Sequence, residues 1–250
     1  MWFFKKKTIV VDCFTDEASA YDFYPIKNSK SYYPEWWKNV QNTIVQETPA
    51  GPIDRPTIKF CDGILNLYKN SFVLPSWTDI QIKTTHDSFY IMLAKQCVNQ
   101  SYPMFENHGR SQHSEIFDNK IHMKLMSPWF LKQNNKCNFA MMPAVWHDPN
   151  NWANYTILPG MVDFKYQHST NINFFLEPNK DRIFIEAGTP FYHIIPLTDE
   201  SVEFKCHLVT TEELNRIYHS KYGSFTGAYK KAKRHDQETE KSCPFNMFKT

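Results

Sequence analysis

Residues 156–196 read TILPGMVDFKYQHSTNINFFLEPNKDRIFIEAGTPFYHIIP, and this stretch decides the fold. Three short runs of strand-forming residues, at 157–162, 171–177 and 183–185, each close on a turn. The turn material is Asp163 with Lys165, then Pro178-Asn179, then Ala187-Gly188-Thr189-Pro190. A fourth apolar run, 191–197, follows at once. Short apolar runs punctuated by Gly, Pro and Asn are the pattern of a buried β layer. The Gly188–Pro190 corner is expected to feed an interior strand.

The same pattern extends outward in both directions. Strands are expected at 8–14, 79–85, 89–94, 120–126, 137–145 and 202–209. In 120–126, Ile121, Met123 and Leu125 alternate with His122 and Lys124, so one face is apolar and the other polar. In 202–209, Val202, Phe204, Cys206 and Leu208 share the inward face. Three further strands are expected at 57–60, 64–68 and 71–74, with Lys69-Asn70 as a tight hairpin turn. Ser127-Pro128-Trp129 is expected to bend the chain. Residues 46–56 hold three prolines and a glycine and read as a loop, or as a boundary if the chain has one. Strand patterning resumes immediately after, so 1–250 is expected to be a single β-rich domain. Residues 95–119 are the least regular part.

Helical signals are few. Trp36 and Trp37 open a candidate short helix through 45, with the paired indoles lidding one end of the core. Thr210 and Glu213 form a capping box ahead of Leu214, Ile217 and Tyr218 at helical spacing. This predicts a C-terminal helical segment over 211–234, followed by a strap-like tail at 241–250. The fold class is therefore mainly β: a double-sheet β-sandwich or jelly-roll-like barrel with one or two C-terminal helices.

Composition narrows the function classes. A net charge of +2 over 250 residues lacks the basic field of a nucleic-acid-binding domain. No apolar run approaches the roughly 20 residues that span a bilayer, and Met1-Trp2-Phe3-Phe4 is too short for a signal core. The expected partners exclude membrane and nucleic acid. Cys13, Cys61, Cys97, Cys137, Cys206 and Cys243 form no C-x-x-C pair and read as reduced thiols of an intracellular protein.

The chemistry candidates are sparse. Trp146, His147 and Trp152 lie on a loop by composition, where they could stack on a sugar or a base; the alternative is turn aromatics folded onto the core. His147 and Asp148 are neighbours in sequence and would point apart. His113 and Glu115 have the H-x-E spacing of a jelly-roll Fe(II) oxygenase, with His193 as the distant third ligand. The plainer reading makes His113 and Glu115 loop residues and His193 a hydrogen-bonded core histidine. No Gly-rich phosphate loop or nucleophile elbow is present.

LPGMVDF at 158–164, STNINFFLEPN at 169–179 and FIEAGTPFYHIIP at 184–196 resemble a domain-of-unknown-function family of bacteria and large tailed phages. The family carries, in this order, a Leu-(Glu)-Gly-x-Val turn, a Thr-x-Asn-x-aromatic strand and a Gly-x-Pro-Phe-x-x-Ile-x-Pro strand. Ser127-Pro128-Trp129 followed by 139–143 is a looser match, and the likeness covers 120–200. It implies a β fold with a Gly-Pro turn before a buried strand, no known activity, and no requirement for His at position 193. The expected function is a non-catalytic binding or structural protein without a cofactor, a phage-encoded accessory or virion-associated subunit. Its setting would be the host cytoplasm or the virion. Protein or glycan partners and homo-oligomers suit this reading; the alternatives are an Fe(II) oxygenase and a small-molecule-binding barrel.

Overall fold

Alternation drives the architecture. In the computed structural model, which describes residues 8–93, 104–109, 112–113, 117, 119–135, 137–219 and 234, the first strand, β1 (Thr8–Thr15), buries Ile9, Val11 and Cys13 and turns the residues between them outward. The next strands are β2 (Lys27–Asn28), β3 (Thr43–Thr48), β4 (Gly51–Pro56), β5 (Phe72–Pro75), β6 (Ile80–Thr84), β7 (Phe89–Leu93) and β8 (Phe105–His108). Then come β9 (Ile121–Lys132), β10 (Phe139–Pro143), β11 (Tyr155–Ile157), β12 (Gly160–Val162), β13 (Ser169–Leu176), β14 (Ile183–Ile185), β15 (Pro190–Pro196) and β16 (Ser201–Leu208). The helices are α1 (Ala18–Phe23), α2 (Glu35–Asn39), α3 (Asp62–Asn70) and α4 (Thr211–His219).

Two sheets form the main layers. One runs β11-β13-β9-β1-β16, with β8 added along β9; the other runs β12-β10-β15-β5-β2. Pairing is antiparallel except between β1 and β16, which lie parallel. Among the described strands no barrel closes, and the sheets are sandwich-like. Their facing sides interdigitate aromatics: Phe174 meets Phe191 edge-on at 5.7 Å, and Phe72 stacks on Phe204 at 4.2 Å. A third sheet, β14-β6-β7, adds Ile80, Ile82, Ile183 and Ile185 to the same core. The space a barrel would have kept as a lumen is filled here by Trp129, Phe139, Phe164 and Phe191.

The four runs of the opening stretch meet different fates. Residues 183–185 are β14 as expected, β13 covers the Asn-rich run, and β15 carries the buried final run. The run 157–162 is not one strand. Its chain breaks at Leu158-Pro159 and passes from β11 in one sheet to β12 in the other. Proline has no N–H to give a ladder, which favours a break there.

Gly188 sits at φ 85° in the third position of a turn closed by Thr189 N–H donating to Glu186 O at 3.1 Å, where a type II turn needs positive φ. A Cβ at Gly188 would lie 3.2 Å from the Tyr24 ring. Gly188→Ala is therefore expected to destabilise the protein by roughly 1–2 kcal/mol, read as a lower urea midpoint at unchanged slope.

The structure corrects further local expectations. Residues 57–74 are not three strands: a 3-10 turn, Ile58–Phe60, leads into α3, and only β5 is extended. Ile64 and Tyr68, four residues apart, share the buried face of α3, and Asp62 and Lys69 suit the two ends of its dipole. Short apolar runs fit either period, and here the helix wins. Residues 46–56 are not a loop but most of the β3–β4 ribbon, turned at Pro49-Ala50. Each strand of a two-stranded ribbon has a free edge, so Pro52 and Pro56 need not donate to the ladder. The helix at Trp36 ends at Asn39, and 43–45 already belong to β3.

Ser127-Pro128-Trp129 is no bend between strands. It lies inside β9 and forms an irregularity opposite Thr170, whose hydroxyl donates to Trp129 O at 2.7 Å. A bulge is where a sheet tolerates proline. The capping box is present as read: Glu213 N–H donates to Thr210 Oγ1 at 3.2 Å and Thr210 N–H to Glu213 Oε2 at 2.9 Å. Leu208, expected inside, is 48% exposed. The continuation of the helical segment past His219 (apart from Arg234) and the tail at 241–250 lie outside the described residues.

Candidate functional site

β10 ends at Pro143 and hands the chain to two successive 3-10 turns, Val145–His147 and Pro149–Asn151, before β11 begins. This places the loop aromatics, but it scatters them. Trp152 is 58% exposed and lines a cleft of about 490 Å³ with Pro143, Val145, Asp148, Tyr155, Ile157 and others. Its indole N–H donates to Val145 O at 2.8 Å, which fixes the ring over the opening of the turn. Trp146 turns away and leans on Trp36 at 5.9 Å, while Trp36 donates its own N–H to Trp146 O at 2.8 Å. His147 turns inward to Tyr68, its Nε2 lying 2.8 Å from the phenol oxygen. The expected trio thus divides among a cleft wall, a packed aromatic pair and a buried hydrogen bond.

Asp148 supplies the polar side of the cleft. Its Oδ2 accepts from Asn151 Nδ2 at 2.8 Å and from the Tyr155 hydroxyl at 2.5 Å. Burial, with the Asp148 charge beside it, pushes the Tyr155 phenol far up, so Tyr155 stays protonated and donates. His147 and Asp148 lie at the end of a 3-10 turn rather than in a strand, and they bond different partners, Tyr68 and Tyr155. The cleft therefore presents an exposed indole, aliphatic and proline surface, and a carboxylate held in one orientation.

His147 leads to a buried polar cluster, its ring 6.0 Å from that of His193. Ser71 donates to Leu67 O at 2.6 Å, closing its one proton into α3, so its oxygen accepts from Ser29 at 2.7 Å. Ser29 then has no proton left for His193, and His193 must donate from Nδ1 across 3.1 Å. That tautomer leaves His193 Nε2 a bare, buried acceptor. Burial holds His193 at about 4 and, with His193 nearby, His147 at about 3, so both rings are neutral at pH 7. Burial also raises Tyr68, which donates to His147, while Tyr33 stacks on Tyr68 at 4.3 Å.

The two iron-ligand candidates among the described residues, His193 and His113, do not converge. His193 faces α3 from β15, whereas His113 rests against His122 and Phe175 on the outer face of the other sheet. The alternation that sends Phe174 inward sends Phe175 outward, so His113 belongs to a different surface. Glu115 lies outside the described residues. His122 meets His108 at 4.6 Å, and burial followed by the His108 charge lowers its pKa. Among the described residues no three His, Cys, Asp or Glu are arranged to hold a metal ion.

Tyr68, Asp148 and Tyr155 were not singled out as site residues from the sequence. Tyr68 had a usable signal, its four-residue spacing from Ile64; the partners of Asp148 and Tyr155 did not. No family model matches the chain, and no curated protein matches its sequence. No helix among the described residues is long and apolar enough to cross a membrane.

Proposed function

We propose that this β-sandwich protein works by binding, and that the cleft beside Trp152 takes a carbohydrate. The observation that carries the reading is the pairing of an exposed indole with the oriented Asp148 carboxylate on one concave surface. A sugar ring has an apolar C–H face and a rim of hydroxyl donors, which match an indole and a carboxylate in turn. The volume of about 490 Å³ falls in the range of small-molecule sites. The accessory or virion-associated phage setting rests on the motif stretch at 120–200 and is part of the same proposal.

Titration against a glycan array, followed by calorimetry on any hit, tests this. Trp152→Ala is expected to weaken binding by about tenfold or more while moving Tm little, because the ring is largely exposed. Trp146→Ala is expected to lower Tm instead, through its contact with Trp36. Equal affinities for wild type and Trp152→Ala, or no glycan bound at all, would remove the carbohydrate reading.

A further inference from the structure

Cys13 and Cys206 are directly opposed on β1 and β16, the parallel pair at the edge of the larger sheet. Residues opposed in this way send their side chains to the same face, and both thiols lie against the core. Neighbouring strands are about 4.8 Å apart, inside the roughly 4.4–6.8 Å Cα window that a disulfide spans. Both thiols are free in this structure. We infer that Cys13 and Cys206 form a reversible redox pair, an oxidisable site that staples the first strand of the sheet to its last.

The two thiols are not equivalent. Cys13 is fully buried, whereas Cys206 is part-exposed and its Sγ lies 3.7 Å from Ile26 O. The neighbouring Cys13 thiol and the nearby Lys27 charge favour the Cys206 thiolate, while burial keeps Cys13 protonated, its Sγ–H donating to Val11 O at 3.7 Å. Cys206 is thus the attacking sulfur and Cys13 the resolving one. With hydrogen peroxide as oxidant, the Cys206 thiolate attacks one peroxide oxygen and the O–O bond breaks. This gives a sulfenic acid and a hydroxide, which takes up the proton the Cys206 thiol had released and leaves as one water. The Cys13 sulfur then attacks the sulfenic sulfur; the S–S bond forms, the S–O bond breaks, and the hydroxyl leaves with the Cys13 proton as a second water. Two thiols lose two electrons and the peroxide is reduced to two waters.

The consequence is mechanical. Among the described strands β16 ends its sheet, with β1 as its hydrogen-bonded neighbour, and α4 follows it. A bridge here closes nearly the whole described chain into one loop, the case in which a cross-link restricts the unfolded state most.

Peroxide treatment of the full chain, followed by non-reducing peptide mapping, is the test. The expected result is a Cys13–Cys206 linked peptide pair with the loss of two hydrogen masses. Tm should rise by roughly 5–10 °C and return on adding dithiothreitol. Cys206→Ser should show neither the bridge nor the rise. If Cys13→Ser fails to fold, Cys206→Ser, at the more exposed position, still carries the comparison. Oxidation of Cys206 to sulfinic acid with Cys13 left reduced, or an equal Tm response in wild type and Cys206→Ser, would overturn the assignment.

Discussion

Phe174→Ala is expected to lower the unfolding free energy by about 3–5 kcal/mol, a large share of what holds a typical domain together. Phe174 is fully buried on β13 and sits between neighbours in both layers. It meets Phe191 of the facing sheet edge-on at 5.7 Å and Tyr155 of its own sheet at 5.3 Å. Truncation removes the transfer energy of the ring and leaves a void that two rigid sheets cannot close. Phe175→Ala is the control, since that ring faces outward against His113 and Phe117. Chemical denaturation of the pair checks the layering. A Phe174→Ala loss below about 1 kcal/mol, or a larger loss for Phe175→Ala, would mean that the sheets do not pack through this face.

Acidification should produce the second large effect, and its sign follows from the buried histidines. An unfolded histidine titrates near 6.5, whereas burial holds His193 at about 4 and His147 at about 3 in the folded protein. Between these values the unfolded chain binds protons that the native one refuses. The stability is therefore complete above about pH 6.5 and drains away as pH falls toward 4. His193 alone accounts for on the order of 3 kcal/mol over that window. His147 acts in the same direction and extends the loss toward pH 3. Protonating His193 would place a proton on the bare Nε2, beneath α3, where no acceptor waits among the described residues. Urea midpoints from pH 7.5 to 4.5 read the slope directly. His193→Gln should flatten it whatever that variant does to the baseline. A slope unchanged by the substitution would show that His193 is not the group responsible.

Where local chemistry sufficed, the fold was legible. Ile121, Met123 and Leu125 face the core because alternate residues of a strand share a face, whatever the partner strand. Gly188 and Pro190 announced their corner through dihedral limits that belong to those residues alone. Thr210 and Glu213 close a cap within four residues. The region 57–74 misled because Ile64, Leu65 and Tyr68 fit two periods, and only the packing of Tyr68 against Tyr33, His147 and His193 selects the helical one.

The site itself was legible only in part. Aromatic residues clustered at 146–152 are plain in the sequence, yet nothing local says that Trp152 faces a cleft while Trp146 meets Trp36. The tautomer of His193 depends on Ser29 and Ser71, and the pairing of Cys13 with Cys206 depends on a parallel register between strands at opposite ends of the described chain. The sequence by itself determined the alternation of strands such as 121–125, the Gly188–Pro190 corner and the helix cap, because these arise from dihedral preferences and spacings within a few residues. Only the tertiary structure decided which sheet each strand joined and which side chains met, because those contacts link residues far apart in the chain, and no spacing along it encodes the register.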